Sequence, residues 1–325
     1  MKKKILICGG AGFIGRMIAK EMVQKGHPVT IYDNFSNYVP PQEGHYPFYL
    51  QQRLKDLKND VEIIRGDIRD KEHLTKAIKQ TKPEIVINLI AIPLATASNV
   101  FFEDAIQTNL NGHINLLKAI RAVKSVERIL YASSSFVYGH FQYDPADEKH
   151  PTQPIDIYGG TKLSCEILTQ SFSKRFGVDY TIVRPSAVYG PTDANRRVSQ
   201  IFVENVLTGK PLQLHGGGKD RVDFTYITDA AHGFTLAALS PKGKNEIFNI
   251  TAGTGRSAKE FAQILDKLIP GKVKTIIKPA DINRPIRGSL DITKAKKLLG
   301  YRPKYKLEQG LKEYIEYIHS TGLFK

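Results

Sequence analysis

Tyr158 and Lys162 stand four residues apart in Tyr158-Gly159-Gly160-Thr161-Lys162. On a helix, positions i and i+4 share one face. A phenol titrates near pH ~10 in the open. A neighbouring ammonium, and any further cation alongside, favours the phenolate and lowers that value. The expected product is a tyrosine that accepts a proton near neutral pH. One surface tyrosine and one surface lysine also satisfy this spacing, so the pair carries weight only through its neighbours. The two intervening glycines each cost about 1 kcal/mol in a helix interior, and are expected where the backbone lets a ligand come close. Upstream, the apolar run Arg128–Ala132 ends in Ser133-Ser134-Ser135. A hydroxyl beyond the carboxyl end of a sheet strand is placed to hydrogen-bond a reacting oxygen.

These groups need an electron acceptor, and the first apolar run supplies a place for one. Lys4–Cys8 leads into Gly9-Gly10-Ala11-Gly12-Phe13-Ile14-Gly15. Gly9, Gly12 and Gly15 form G-x-x-G-x-x-G, which permits a sharp turn, backbone approach to a pyrophosphate, and close helix–strand packing. The following helix presents free N–H groups to the phosphates. Asp33 follows Gly15 by 18 residues and ends the next apolar run beside Asn34. A carboxylate there suits adenine ribose hydroxyls and repels a 2′-phosphate, favouring NAD over NADP. The alternative is a turn aspartate closing the strand. Asp67, followed by Ile68, ends the third run; it reads equally as an adenine contact or as the N-cap of the helix from Lys71.

Strands and helices must alternate to position these residues. Apolar runs at Lys4–Cys8, Pro28–Tyr32, Val61–Ile64, Ile85–Leu89, Arg128–Ala132 and Tyr180–Arg184 are separated by helical patterns at Gly12–Lys25, Lys71–Gln80, Phe101–Val123 and Tyr158–Phe176. That order predicts an α/β fold with a doubly wound parallel sheet. The continuous runs predict strands covered on both faces. Asn34–Lys58 reads as a long loop with one short helix. After Tyr189, glycines and prolines punctuate shorter elements. A helix at Asp229–Leu239 and a strand at Glu246–Ile250 return to the main sheet, and the tail carries helices near Ser257–Leu268 and Leu307–His319. The expected division is a cofactor domain of 1–188 plus 227–250 and a smaller C-terminal α/β substrate domain of 189–226 plus 251–325.

Composition narrows the class. The 325 residues are 41% hydrophobic and 24% charged, with no apolar run long enough to span a membrane. The apolar stretch behind Lys2-Lys3-Lys4 is too short for a secretory leader and runs straight into glycines. Cys8 and Cys165 are expected as packing residues in a reducing, cytoplasmic setting, and no metal set is expected. The net charge of +15 suits an anionic ligand or a lysine-rich solvated surface. The basic residues form no block and no basic–aromatic repeat, which argues against nucleic acid.

The full motif set resembles the extended short-chain dehydrogenase/reductases of the nucleotide-sugar epimerase/dehydratase family. Besides the glycine loop, Asp33-Asn34 and Gly66-Asp67, it includes Ser134-Ser135-Phe136-Val137-Tyr138-Gly139, Arg184-Pro185-x-x-Val188-Tyr189-Gly190-Pro191, Asp223-Phe224-x-Tyr226-Ile227 and Leu298-Leu299-Gly300-Tyr301-x-Pro303. The resemblance implies a Rossmann-type sheet, NAD, a nucleotide-sugar substrate, and a homodimer through helices Phe101–Val123 and Tyr158–Phe176. It implies Ser134 as the catalytic hydroxyl, four positions before the tyrosine of V-Y-G. It also likens Asn109 to the family's helix asparagine near the active site, against the plainer reading of a side chain bonded within its own helix.

In family dehydratases the catalytic threonine is followed by Asp-Glu, which serve water elimination. Here Ser135-Phe136 follow Ser134, so transient oxidation at C4 of a UDP-sugar is the expected reaction, similar to that of UDP-glucose 4-epimerases. Decarboxylation or net dehydrogenation of a nucleotide sugar is the alternative, and a non-catalytic NAD(H) sensor is the second. The substrate half departs from the family pattern at Ala187, where many relatives have asparagine, and at Val222, where the usual Arg-Asp-Phe is displaced to leave Arg221 one place early. Phosphates or a uronate carboxylate would draw on Arg196, Arg197, Arg221, Arg284 and Arg287, with Ser135 beside the sugar.

Overall fold

Ile5, Leu6, Ile7 and Cys8 form the first strand, and all four are buried. Alternate side chains serve opposite faces of a strand. Ile5 and Ile7 join one apolar core, Leu6 and Cys8 another. A strand sandwiched in this way must lie inside a sheet with helices on both sides. The chain's structure, a computed structural model, describes residues 2–38, 45–55, 57, 59–281 and 283–324.

The central strands are β1 (Ile5–Cys8), β2 (Val29–Asp33), β3 (Glu62–Arg65), β4 (Ile85–Asn88), β5 (Arg128–Ala132), β6 (Asp179–Pro185) and, later in the chain, β11 (Glu246–Ile250). They pair in parallel in the order β11-β6-β5-β4-β1-β2-β3. This is a doubly wound Rossmann-type sheet whose order reverses between β1 and β4, where a ligand crevice opens beyond the strand ends. One face is covered by α1 (Gly15–Gln24) together with the later helices α9 (Ile227–Leu239) and α11 (Thr293–Leu299). The other is covered by α3 (Lys71–Thr81), α6 (Gly112–Arg121) and α7 (Ile157–Phe176). Both cysteines are free and buried.

Two expectations need correction. β3 is not covered on both faces: Glu62, Ile63 and Arg65 are exposed because it ends the sheet, with a partner on one side only. The segment expected as one helix over Phe101–Val123 is broken. After α4 (Ala95–Val100) come α5 (Phe102–Ala105), a π-helical stretch at Ile106–Asn111, and then α6. Within Asn34–Lys58, α2 (Tyr46–Lys55) is a ten-residue helix; residues 39–44, 56 and 58 of that segment lie outside the described residues.

The C-terminal half has its own apolar cluster. It is built from β7 (Val188–Tyr189), α8 (Val198–Leu207), β8 (Leu212–His215), β10 (Thr225–Tyr226), α10 (Ala258–Leu268) and α12 (Leu307–Thr321). Two further strands are β9 (Arg221–Asp223), antiparallel to β12 (Gly255–Ser257), and β13 (Thr275–Lys278), parallel to β8. The helices α8 and α11 were not expected. Among the described residues no helix is long and apolar enough to cross a membrane.

Candidate active site

The sheet and α7 bring Ser134, Tyr158 and Lys162 together. Ser133 extends β5 by donating its N–H to the Val183 carbonyl. Ser134 is still extended, and its Oγ accepts the Phe136 N–H at 3.2 Å, capping a single 3₁₀ turn at Ser135–Tyr138. Helix α7 starts opposite, with the Asp156 carboxylate accepting the Gly159 N–H at 2.7 Å. Tyr158 therefore sits in the first turn of α7, its ring edge-on to Phe136 at 5.7 Å. Gly159 is the contact point: a Cβ there would come within 2.7 Å of the Phe136 carbonyl oxygen, whereas one on Gly160 would meet nothing within 4 Å. Gly159 thus serves packing of helix against turn, while Gly160 faces open space.

Lys162 is almost fully buried. Its Nζ donates to the Ala132 carbonyl at 2.7 Å and lies 5.7 Å from the centre of the Tyr158 ring. Burial pulls its pKa down to about 8. Burial raises the pKa of the Tyr158 phenol, and the charge of Arg197 opposes this rise, aided by the Ser134 hydroxyl. The Lys162 ammonium bonds a backbone carbonyl while its charge stays 5.7 Å from the Tyr158 ring centre. Desolvation of a phenolate outweighs a cation held at ring distance.

Side chains not singled out in the sequence fix this arrangement. Glu166, one further turn along α7, accepts the Ser133 hydroxyl and forms a bidentate pair with Arg184 at 2.9 and 2.6 Å, both residues being buried. Arg184 also donates to the Tyr138 hydroxyl at 3.1 Å, and Tyr138 donates to Asn249 Oδ1 at 2.7 Å. The signal was available: Arg184 was read as part of a motif and Glu166 lies at i+4 from Lys162. Asn109, on the π-helical stretch, bonds outside its own helix. Its Oδ1 accepts the Ile92 N–H at 2.8 Å and its Nδ2 donates to Thr161 Oγ1 at 3.2 Å. It braces the loop after β4 against α7, one residue before Lys162.

The glycine loop fits a dinucleotide. A Cβ on Gly15 would fall 2.2 Å from the Gly9 carbonyl oxygen, so helix and strand meet as closely as this motif requires. The α1 N-cap, Ile14, offers no side-chain cap, while the Arg16 and Met17 N–H groups bond back to the Gly12 and Ile14 carbonyls; the positive end of the helix dipole suits phosphate at the turn before them. Gly12 donates to Gly9 within the turn. The Phe13 side chain packs into the C-terminal apolar cluster. Asp33 fulfils the turn reading and one task more: Oδ1 accepts the Phe35 N–H at 2.8 Å, and Oδ2 accepts the Ala11 N–H of the glycine loop at 3.0 Å. Its burial raises its pKa, against those backbone donors. The N-cap reading of Asp67 is wrong; Asp70 caps α3 by accepting the His73 N–H. Asp67 instead pairs with Arg69 and accepts Asn34 Nδ2 at 3.0 Å. Ile68 packs against Gly112 in the core.

The arginines separate. Arg287 Nη1 lies 3.4 Å from Ser135 Oγ, and its guanidinium sits over the Phe136 ring at 4.2 Å. Burial lowers its pKa to about 10 while Asp156 pulls the other way. Arg287 and Arg197 therefore converge on the Ser134–Tyr158 site. Arg284 is exposed and paired with Asp281, though its charge reaches Arg287. Arg196 is paired with Glu204 at 2.6 Å. Arg221 is exposed and donates to the Gly255 carbonyl across β9–β12, so no contact joins it to the Ser134–Tyr158 site. Val222, whose place is normally the arginine's, packs against the C-terminal cluster. Asp223, beside it, is the missed organiser. Its buried carboxylate accepts from Thr251, Ala252, Gly253 and Leu290, tying β9 to the segment that carries Arg287.

Comparison with known proteins finds nucleotide-sugar enzymes. A curated relative from Bacillus cytotoxicus, UDP-N-acetyl-alpha-D-glucosaminuronate decarboxylase, is 31% identical over 98% of both chains. The crystal structure of UDP-glucuronic acid 4-epimerase from Bacillus cereus, in complex with UDP-glucuronic acid and NAD, superposes with a TM-score of 0.89 at 28% identity, covering 98% of this chain and 99% of that one. UDP-glucose 4-epimerase from Thermotoga maritima, with UDP-glucose, gives 0.88 at 29% identity with the same coverage. Residues 5–251 match the NAD dependent epimerase/dehydratase family; the chain belongs to that family, as an extended short-chain dehydrogenase/reductase whose cofactor is NAD.

Proposed function

We propose that this enzyme epimerises a UDP-sugar at C4 through a transient 4-keto sugar. The observation that carries the reading is the Ser134–Tyr158–Lys162 set at the carboxyl end of β5, with Ser135-Phe136 where a dehydratase needs two carboxylates. NAD, when bound, supplies the hydride acceptor and donor. Tyr158 takes the proton from the C4 hydroxyl and later returns it. Ser134 hydrogen-bonds the same oxygen and keeps it in line. Lys162, held by Ala132, orients the nicotinamide ribose. Gly9, Gly12, Phe13, Ile14 and Gly15 hold the pyrophosphate by their backbone, and Asp33, Asn34, Asp67 and Ile68 surround the adenosine, with Asn109 bracing the floor. Arg197 and Arg287 take the diphosphate or a sugar carboxylate beside Ser135. Arg221 and Arg284 would serve only the outer rim.

In this reading residues 189–226 and 251–325 form the nucleotide-sugar domain. Exposed Val100, Phe101, Phe102, Ile167 and Phe176 support a homodimer through α5–α7, and the buried free cysteines suit a reducing cytoplasm. The relative that decarboxylates a uronate favours a second reading, loss of CO₂ from the 4-keto sugar. The intact catalytic set speaks against a sensor. The test is incubation with UDP-glucose, UDP-N-acetylglucosamine and UDP-glucuronate, followed by NMR of the products. A C4 epimer from at least one donor, lost in Tyr158→Phe, is expected. CO₂ release or net accumulation of reduced cofactor would overturn the epimerase reading.

A further inference from the structure

The loop at residues 190–197 links the two halves, and it is held from the cofactor side at three carbonyls. Arg16 of α1 donates to Pro191 O at 3.3 Å, Arg53 of α2 to Thr192 O at 2.6 Å, and Asn37 to Ala194 O at 3.4 Å. Thr192 and Arg196 both have left-handed backbones, with φ of 71° and 55°. A β-branched residue adopts that region only when its surroundings impose it. Arg53 is 3% exposed, a costly place for a cation without an opposite charge nearby. The groups that favour its charge are Tyr46, the fully buried Asp193 and, across the cofactor loop, Asp33, with Arg16 opposing. Asp193 in turn accepts from Asn195 N–H and from Arg197 Nη1, each at 3.2 Å. The chain of contacts therefore runs Arg53, Thr192–Asp193, Arg197.

We propose that Arg53 is a positioning residue that sets Arg197 against Tyr158 by holding the Thr192–Asp193 backbone from the cofactor half. The proposal rests on Tyr158 being the proton acceptor, as read above. Besides Arg197 on this loop, the groups around the phenol are Asp156 and Lys162 on its own helix, the Tyr131 phenol of β5 and the Ser134 hydroxyl beyond the end of β5. A displaced loop removes the one that lies outside the sheet and α7.

The test titrates the phenol directly in the NAD-loaded protein carrying ¹³Cζ-labelled tyrosine, the Tyr158 resonance being assigned by its loss in Tyr158→Phe. Arg197→Gln is expected to raise the midpoint by about 0.5–1 pH unit. Arg53→Met should raise it by a similar amount, the double variant by no more, and Arg53→Lys by less. If Arg53→Met does not fold, Arg53→Lys decides: a raised midpoint supports the proposal and an unmoved one overturns it. Full additivity in the double variant, or a shift in Arg197→Gln alone, also overturns it. The readout needs no turnover, so absence of C4 epimers with these shifts present would sink the reaction reading and leave the positioning role standing.

Discussion

Gly159 lies so close to Phe136 that a Cβ on it would meet the Phe136 carbonyl oxygen at 2.7 Å. That contact sets the gap between the turn bearing Ser134 and the helix bearing Tyr158. Gly159→Ala must push the two apart, and a misplacement near 1 Å costs about 10²-fold in rate. Gly160→Ala meets open space and removes a helix-interior glycine, so it should leave turnover intact and stabilise the fold by up to ~1 kcal/mol. Steady-state kinetics and thermal denaturation of the two variants check this. Equal loss of activity in both would show that the glycines admit a ligand after all.

The Glu166–Arg184 pair makes a sharper stability prediction. Both side chains are buried, and the Ser133 hydroxyl shares the carboxylate. Removing one partner leaves an uncompensated charge, at about 3–5 kcal/mol. Arg184→Met alone should therefore lower the denaturant midpoint strongly, and Glu166→Met in the same background should recover much of the loss. Additive losses in the double variant would mean the two residues do not act as a pair.

Much of this site was legible in the sequence because its signals are local. Gly9 to Gly15 needs one turn, Tyr158 and Lys162 need one helix, and the six first strands announce themselves by apolar runs. The misses have a different physics. Helix α11 is seven residues, with Ala295 and Leu299 as its buried stripe, too short to show a period. Asp70 outcompeted Asp67 as a cap because only Asp70 stands directly before the first helical residue. Glu166 has the spacing of a residue one turn beyond Lys162, but like Asp223 it acts through partners 18 to 67 residues away, and local spacing does not name those partners. The same holds for the phenol of Tyr158, where burial and Arg197, 39 residues along the chain, act alongside its i+4 neighbour Lys162.

Lys162 trades stability for its role. Its folded pKa, about 8, lies below the ~10.4 of an unfolded lysine. Between those values the unfolded chain binds the extra proton, so stability rises with pH across that window. Below pH 8 the full penalty applies. Lys162→Met removes the penalty and one hydrogen bond to Ala132 O, leaving a net gain of ~2 kcal/mol at pH 7. The variant should be inactive yet harder to denature, with the difference fading towards pH ~10. Chemical denaturation at pH 7 and pH 10 measures it; a variant less stable at both would contradict the assignment of an unfavourable buried ammonium.

Asp33 carries two tasks that a single substitution can separate. Its Oδ1 closes the turn onto Phe35 N–H and its Oδ2 ties down Ala11 N–H. Both are structural bonds to uncharged donors, and either loss should cost about 1 kcal/mol. Neither discriminates between dinucleotides. On the reading proposed above, discrimination would come from the negative charge at the end of β2, which would repel a 2′-phosphate. Asp33→Asn keeps one carbonyl oxygen and the shape but removes the charge. NAD should bind about 10-fold more weakly, or ~1.4 kcal/mol, while the preference for NAD over NADP should shrink by a larger factor. Calorimetric titration with both cofactors reads the two effects apart. If stability falls but the NAD to NADP ratio holds, Asp33 is a turn residue alone, and cofactor choice must be written elsewhere around the adenosine, where Asn34 and the Asp67–Arg69 pair would be the next groups to change.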